Sequence, residues 1–358
     1  MVYTWAVIGA GPAGIAAVGN LLDLGIPADK IIWVDPHFTV GDFGTVWRKV
    51  PSNTRVNLFL KFLYASPAFN FKNCPHDFAL MHLDPESTCE LSLMADPLQW
   101  VSTELKNKVS ATQGFAEKLF LQNGVWHSVL KNTVIESENV ILAQGSEPKT
   151  LHATLNVISL ADAMNGESLK NLVTEDDTVA VFGSSHSAIL AIRHLLEHKV
   201  KGVINFYRSP LRYAIYLPDE ILFDDSGLKG STADWARVNI DGELPAGLER
   251  INIMETEIDP HLLRCNKAIY AVGFERRKFP VIENVNHDNY LLQSGMIAPG
   301  LFGVGIAYPE ANSKVIDIQE YRVGLWKFMT YLQKIIPAWI AHAQSRHADL
   351  TGKLDGGG

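Results

Sequence analysis

The sequence predicts an α/β protein built from two parallel-strand units, and three observations carry that expectation. An apolar run over 4–8 leads into the glycine-rich turn Gly9-Ala10-Gly11-Pro12-Ala13-Gly14 and a helix-like stretch beginning at Ala13. A second apolar run, Ile31-Ile32-Trp33-Val34, ends at Asp35, about twenty residues beyond the turn. The same order returns downstream. Thr178-Val179-Ala180-Val181-Phe182 is followed by Gly183-Ser184-Ser185-His186-Ser187-Ala188, a helical pattern to near Lys199, and Val203-Ile204-Asn205-Phe206-Tyr207-Arg208.

Each part of the first unit has a physical role in binding a dinucleotide. In G-x-G-x-x-G the first glycine, Gly9, makes the tight turn; Gly11 lets a pyrophosphate approach backbone; Gly14 packs helix against strand. The helix start at Pro12 and Ala13 then faces the phosphates with its unpaired N–H groups, and Asp35 is placed to bind ribose hydroxyls. The second unit, at nearly the same spacing, predicts a second nucleotide site from Gly183, Ser184, Ser185 and His186. It ends on Arg208, suited to a 2′-phosphate, so NADPH is expected over NADH. Ser185 stands where the second glycine belongs, and its side chain either crowds the pyrophosphate or hydrogen-bonds it.

The composition bounds the partners. The chain has 358 residues, 47% of them apolar, which suits about two domains with a sizeable core. A formal charge of −8 argues against general attraction to nucleic acid or an anionic membrane, and the expected partner is a small molecule. The first strand begins at once, and no apolar run reaches the roughly twenty residues of a membrane span, so cytoplasm is the expected location. Nothing in the composition speaks against a homodimer. The three cysteines, Cys74, Cys89 and Cys265, form no C-x-x-C pair, which argues against a dithiol relay. His194, Glu197 and His198 have metal-compatible spacing on the second helix, but with no H-E-x-x-H pattern and no third ligand in sight they read as a solvated face.

The stretch 41–58 is rich in turn formers and poorly periodic, yet it carries Trp47, Asn53, Asn57 and the basic groups Arg48, Lys49 and Arg55. Such a loop after the second strand can fold back over the nucleotide. Here a family becomes visible: Gly9 to Gly14, then Gly44-Thr45-Val46-Trp47, then Ser52-Asn53-Thr54-Arg55 resembles the G-x-G-x-x-G, G-[LT]-W and S/T-N-x-x-K/R series of flavin-containing monooxygenases. The resemblance implies FAD at the first turn, Trp47 packed near the flavin, and Asn53 beside the flavin's reactive carbon and the nicotinamide. One residue is inserted between Thr45 and Trp47 relative to that pattern.

Further elements continue the series. Val140-Ile141-Leu142-Ala143-Gln144-Gly145-Ser146-Glu147-Pro148 resembles the L-A-T-G-S-x-P crossover of two-dinucleotide flavoproteins, with Gln144 for threonine and Gly145 beside it. Lys267-Ala268-Ile269-Tyr270-Ala271-Val272-Gly273-Phe274 resembles the return crossover, with Val272 for threonine. Pro299-Gly300-Leu301-Phe302-Gly303-Val304-Gly305-Ile306 resembles the late flavin-contacting strand, with Gly305 at the cofactor and Ile306 where disulfide reductases carry aspartate. The implied architecture is two Rossmann-like dinucleotide-binding domains, the NAD(P)H domain (150–273) inserted into an FAD domain formed by 1–149 and 274–358.

Between these motifs the expectations are local. The stretch 64–93, with Pro67, Pro75 and Pro85 among aromatics, reads as coil and short helices beside a substrate channel. Asp96-Pro97 reads as cap and first position of a helix to Lys108, followed by β-like runs at 118–122, 125–130 and 133–135. The stretch 212–239 reads as an insertion, either a lid over the nicotinamide or packing between strands. A helix is expected over 313–332, a break or kink at Pro337, and a frayed tail at 351–358.

The leading functional expectation is an FAD-dependent, NADPH-using monooxygenase that oxidises a soft nitrogen or sulfur with molecular oxygen through a flavin hydroperoxide, Asn53 orienting nicotinamide and oxygen species. An NAD(P)H-dependent flavin reductase or oxidase needs the same two sites, and the F-x-G-x-x-x-H element of monooxygenases is missing, His152 lying in that region without the spacing. A third reading is an FAD-binding regulator with a decayed NADPH site, suggested by Ser185 and Gln144.

Overall fold

A computed structural model describes residues 1–151, 155–217, 221–286, 290–312 and 320–355. The main sheet takes its central strand from Val2–Ile8, whose fully buried Val7 and nearly buried Trp5 and Ile8 leave no solvent face, the mark of a parallel strand covered on both sides. It pairs in parallel with Ile31–Asp35 on one side and Thr133–Leu142 on the other. Beyond these lie Ser110–Gln113 at one end and the antiparallel Ala116–Gln122 and Val125–Leu130 at the other, while Leu301–Gly303 joins Thr133–Leu142 in parallel.

A second sheet is wholly parallel, in the order Asn156–Ile158, Lys267–Tyr270, Thr178–Phe182, Gly202–Tyr207, Leu248–Asn252. All its strands fall in the chain between Thr133–Leu142 and Leu301–Gly303 of the main sheet. The two connecting passages run side by side: Ser146–Pro148 pairs antiparallel with Phe274–Arg276. The architecture is two parallel-strand units, one nested within the other.

The two glycine turns are built alike. Gly9 N–H donates to Val34 O at 2.8 Å and Gly183 N–H to Phe206 O at 2.9 Å. The Trp33 indole donates to Gly9 O at 2.9 Å, and the Asn205 amide to Gly183 O at 2.8 Å. Both glycines have positive φ, +110° and +122°, and an added Cβ would stand 2.3 Å from a crossover carbonyl, Ala143 O or Ala271 O. Only glycine fits either place.

Several local expectations are corrected. The helix Ser92–Lys108 begins before Asp96, whose carboxylate pairs with Arg48 at 2.7 Å instead of capping; Pro97 falls inside the helix, in its second turn, where it leaves the Leu93 carbonyl without its i→i−4 donor. The expected strands at 133–135 and 140–142 are one ten-residue strand, Thr133–Leu142. In 64–93, short helical turns bury Phe69, Phe71 and Leu80 in the core; Leu91 alone of this stretch faces the cavity described below. Glu320–Arg322 is a strand, and the last helix, Leu325–Asp355, runs through Pro337. Residues 313–319, His152 and 356–358 lie outside the described residues. His194 and His198 turn inward to the carbonyls of Ala163 and Gly166, at 3.0 and 2.8 Å, tying their helix to its neighbours. Burial pushes the Cys265 thiol up to about 11, which suits packing over reactivity. No described helix is long and apolar enough to cross a membrane.

Candidate active site

A cavity of about 930 Å³ collects residues from both units. Its floor is the first glycine turn. The helix Pro12–Asp23 starts from Gly11, which has an ordinary φ of −75° and whose added Cβ would come no closer than 3.9 Å to Val40 O. The fold itself does not require a glycine there. It requires one at Gly14, where a Cβ would lie 2.0 Å from Gly9 O, and at Gly305, with φ +83° and only 2.9 Å to Ala13 Cβ. The Gly11 position is thus kept small toward the cavity, where a phosphate would approach.

Asp35 faces the cavity but is largely engaged. Its Oδ1 accepts from His37 N–H at 2.8 Å and Phe38 N–H at 2.7 Å, and its Oδ2 accepts from Ala10 N–H at 2.7 Å. A carboxylate has about four acceptor sites, so one remains on Oδ2. The aspartate first welds its own loop to the glycine turn and has that single site left for a ribose hydroxyl.

Asn53 sits on the strand Pro51–Arg55, paired antiparallel with Thr88–Glu90, and faces the cavity. Ser52 fixes the local shape, its hydroxyl accepting from Thr54 N–H at 2.8 Å. The Trp47 ring stands edge-on to Phe274 at 5.9 Å between centroids, joining the 41–58 loop to the return crossover. Gln144 and Gly145 lie on the same wall; the Gln144 amide donates to Arg277 O at 2.9 Å, while its Oε1 is buried and lacks a partner among the described residues.

From the second turn, His186 reaches the cavity, whereas Gly183, Ser184 and Ser185 do not line it. Burial, with the nearby Lys229 ammonium, pushes the His186 imidazole down to about 4, so it is neutral at pH 7. Ser185 has nearly the backbone of Gly11, φ −94° and ψ −173° against −75° and −179°, so the serine imposes no strain. By the matching Gly9–Val34 and Gly183–Phe206 bonds, the counterpart of Asp35 is Tyr207; Arg208 comes one residue later, exposed and away from the cavity.

Sequence reasoning offered the 212–239 stretch as a lid or as packing between strands, but missed the ion pairs that close the cavity. Arg277, just past the return crossover, pairs with Asp42 at 2.5 Å. The 212–239 insertion contributes Tyr216, Asp224, Asp225 and Lys229, and the last helix contributes Lys327, which pairs with Asp224 at 2.6 Å and Asp225 at 2.5 Å. No motif announces these pairs; the acidic doublet was visible, its distant cation was not. The Tyr216 ring lies under the Arg55 guanidinium at 5.0 Å, so the insertion also meets the Asn53 strand.

No family model matches the chain. Monooxygenase AgnR1 of Paecilomyces divaricatus is 32% identical over 382 aligned residues, covering 94% of this chain and 97% of that protein. Among solved structures, the L-lysine 6-monooxygenase from Pseudomonas syringae superposes with a TM-score of 0.66 at 14% identity, covering 95% of this chain and 99% of that one. The bacillithiol disulfide reductase Bdr (YpdA) from Staphylococcus aureus does so with 0.62 at 13%, covering 95% and 99%. These two likenesses establish the fold, which carries more than one chemistry. The match to AgnR1 along nearly the whole of both chains goes further: this chain belongs to the flavin-containing-monooxygenase-like family of FAD- and NAD(P)-binding oxidoreductases and is an enzyme of the monooxygenase type.

Proposed function

We propose that the protein uses NADPH and bound FAD to place one oxygen atom of O2 on a soft nitrogen or sulfur of a small molecule. The observation that carries this reading is that Asn53, the first glycine turn and the N-terminus of the second unit's helix all face one cavity. The residues fit FAD: Gly11 leaves room for a pyrophosphate, one acceptor site of Asp35 is left for a ribose, and the buried, partnerless Oε1 of Gln144 calls for a donor. Gly9, Pro12, Ala13, Gly14, Trp47, Gly145 and Gly305 complete that side. Gly183, Ser184, Ser185 and His186 would hold the pyrophosphate of NADPH, with Arg208 assigned to its 2′-phosphate. FAD held there would supply the two-electron chemistry with NADPH and the activation of oxygen.

The chain's own contribution is orientation and exclusion of water. The Asn53 amide donates and accepts at once, as bridging a nicotinamide and an oxygen species requires. Trp47, Phe274 and Leu91 line the cavity with apolar surface that keeps water from diverting the reaction to peroxide. Burial and the Lys229 ammonium keep the His186 imidazole neutral, so it serves as a hydrogen-bonding group without adding a second positive charge beside Lys229.

Asn53→Ala tests the assignment. The variant is expected to keep its FAD and to lose about 1 kcal/mol of stability or less. Oxygenated product should fall on the order of a hundredfold while NADPH consumption continues and appears as peroxide. Equal proportions of product and peroxide in variant and parent would remove Asn53 from the chemistry. A parent that turns all its NADPH into peroxide with every sulfide or amine offered would make the enzyme a reductase or oxidase.

A further inference from the structure

The ionic side chains on the cavity wall share one property: among the described residues each has an oppositely charged partner, except Asp35, which is held by backbone donors. Asp42 holds Arg277, Arg55 holds Glu86 at 2.5 Å, Lys229 holds Asp224 at 2.7 Å, and Lys327 holds both Asp224 and Asp225. Arg322 holds Glu310 at 3.1 Å, and Asp35 has its three backbone donors. Of the other titratable groups, His186 is held neutral and burial raises the Tyr216 phenol. A carboxylate entering from water would lose its hydration and meet only cations already paired, and an ammonium would find only Asp35 without a cation, its one remaining acceptor site assigned to a ribose.

What the wall does offer is apolar and aromatic. Phe274, Tyr216 and Ile306 remain 37%, 50% and 37% exposed, and all three face the cavity, with the Trp47 ring edge-on to Phe274. Tyr216 belongs to the insertion and to neither glycine turn, so its ring is surface beyond what the two turns supply. The Arg55 guanidinium lies over that ring at 5.0 Å, and the ring stays half exposed. The neutral amide of Asn53 is the polar group at hand, its oxygen only 3.5 Å from Thr54 Oγ1.

We propose, resting on the monooxygenase reading, that the substrate is an uncharged, ring-bearing molecule, and that the pairing of wall charges is the device that rejects its charged analogues.

The test separates binding from turnover. Three probes share one ring and one soft sulfur: methyl phenyl sulfide, 4-(methylthio)benzylamine and 4-(methylthio)benzoate. Their dissociation constants are measured on the FAD-loaded enzyme without NADPH, from changes in flavin absorbance. The neutral sulfide is expected to bind at least 30-fold more tightly than either charged probe, about 2 kcal/mol. In Glu86→Gln, where the amide keeps a hydrogen bond to Asn57 but Arg55 loses its counter-charge, the benzoate should gain at least fivefold and the neutral sulfide should stay within twofold. An ammonium or carboxylate probe binding as tightly as the neutral one overturns the proposal, and so does a Glu86→Gln enzyme with unaltered preference. If the neutral sulfide binds as expected but NADPH and oxygen yield only peroxide, the substrate class stands and the monooxygenase reading falls.

Discussion

A methyl group added at Gly14 would lie 2.0 Å from Gly9 O and 2.9 Å from Gly9 C, so the helix start must move off the strand to accept it. Gly14→Ala is therefore expected to destabilise by about 1–3 kcal/mol and to yield protein without bound flavin, read from the 450 nm absorbance of the purified enzyme; a yellow variant of parental stability would refute the packing argument. Gly11→Ala isolates the other role, since its backbone and surroundings tolerate a Cβ, and should spare stability more than flavin binding. Both glycines were legible in the sequence, because the turn is a local device with a fixed spacing. Asp35 was legible as a cavity residue, but its three backbone bonds depend on how the 36–38 loop turns back, which no spacing encodes. Counting set Arg208 level with Asp35, whereas the hydrogen bonds set Tyr207 there and leave Arg208 one residue further on, because the two helix-to-strand connections differ in length.

Elements are held by contacts that span the chain. In the second sheet, Asp177 ends the loop before Thr178–Phe182 and accepts from Thr174 N–H at 2.6 Å, Asn266 Nδ2 at 2.6 Å and Lys267 Nζ at 2.7 Å, with its side chain 6% exposed. Burial works against its charge, but Lys267 and the other donors prevail and hold the carboxyl down at about 2. Its folded value lies below the unfolded one, so the stability it contributes is present above about pH 4 and is lost as pH falls through 2. Asp177→Asn should lower the thermal midpoint at pH 6 by a few degrees, on the order of 2 kcal/mol, with the gap to the parent narrowing below pH 4; a gap independent of pH would mean that charge plays no part. The strands and both repeated helices were legible from apolar runs and turn signals. The start of Ser92–Lys108 was not, because Asp-Pro is a strong local start signal and the turn that precedes it carries none. Of the helix expected at 313–332, the part from Leu325 is helical, while Glu320–Arg322 pairs as a strand with Glu310–Asn312 and 313–319 lies outside the described residues; the helix docks against Pro12–Asp23, where the Asn20 amide meets Met329 Sδ at 3.3 Å.

At the scale of the whole molecule, the nested pair of sheets was legible because the pattern occurs twice, whereas the closure of the cavity between them rests on ion pairs between residues about a hundred positions apart. Lys327 is the chief of these. It joins the last helix to Asp224 and Asp225 of the insertion, while Ser226 Oγ donates to Glu320 at 2.8 Å. Lys229 and Lys327 outweigh burial and lower the Asp224 carboxyl, whereas at Asp225 burial outweighs Lys327 and raises it. With Lys327→Met the adjacent carboxylates keep only Lys229, and their repulsion in a half-dry site should lift the insertion from the helix. A loss of about 1.4 kcal/mol of closure would raise the open population tenfold, which proteolysis reads when opening is fast relative to cleavage. The expectation is at least tenfold faster nicking within 209–229 at pH 8, with the excess shrinking as pH is lowered, because Asp225, already raised by burial, takes up a proton and the repulsion weakens. Lys334→Met is the control: on the same helix, 73% exposed and 3.6 Å from Glu310, it should leave the insertion as the parent has it. If both variants are cut alike, the insertion is held over the cavity by its packing, and the Lys327 pairs contribute nothing to its closure.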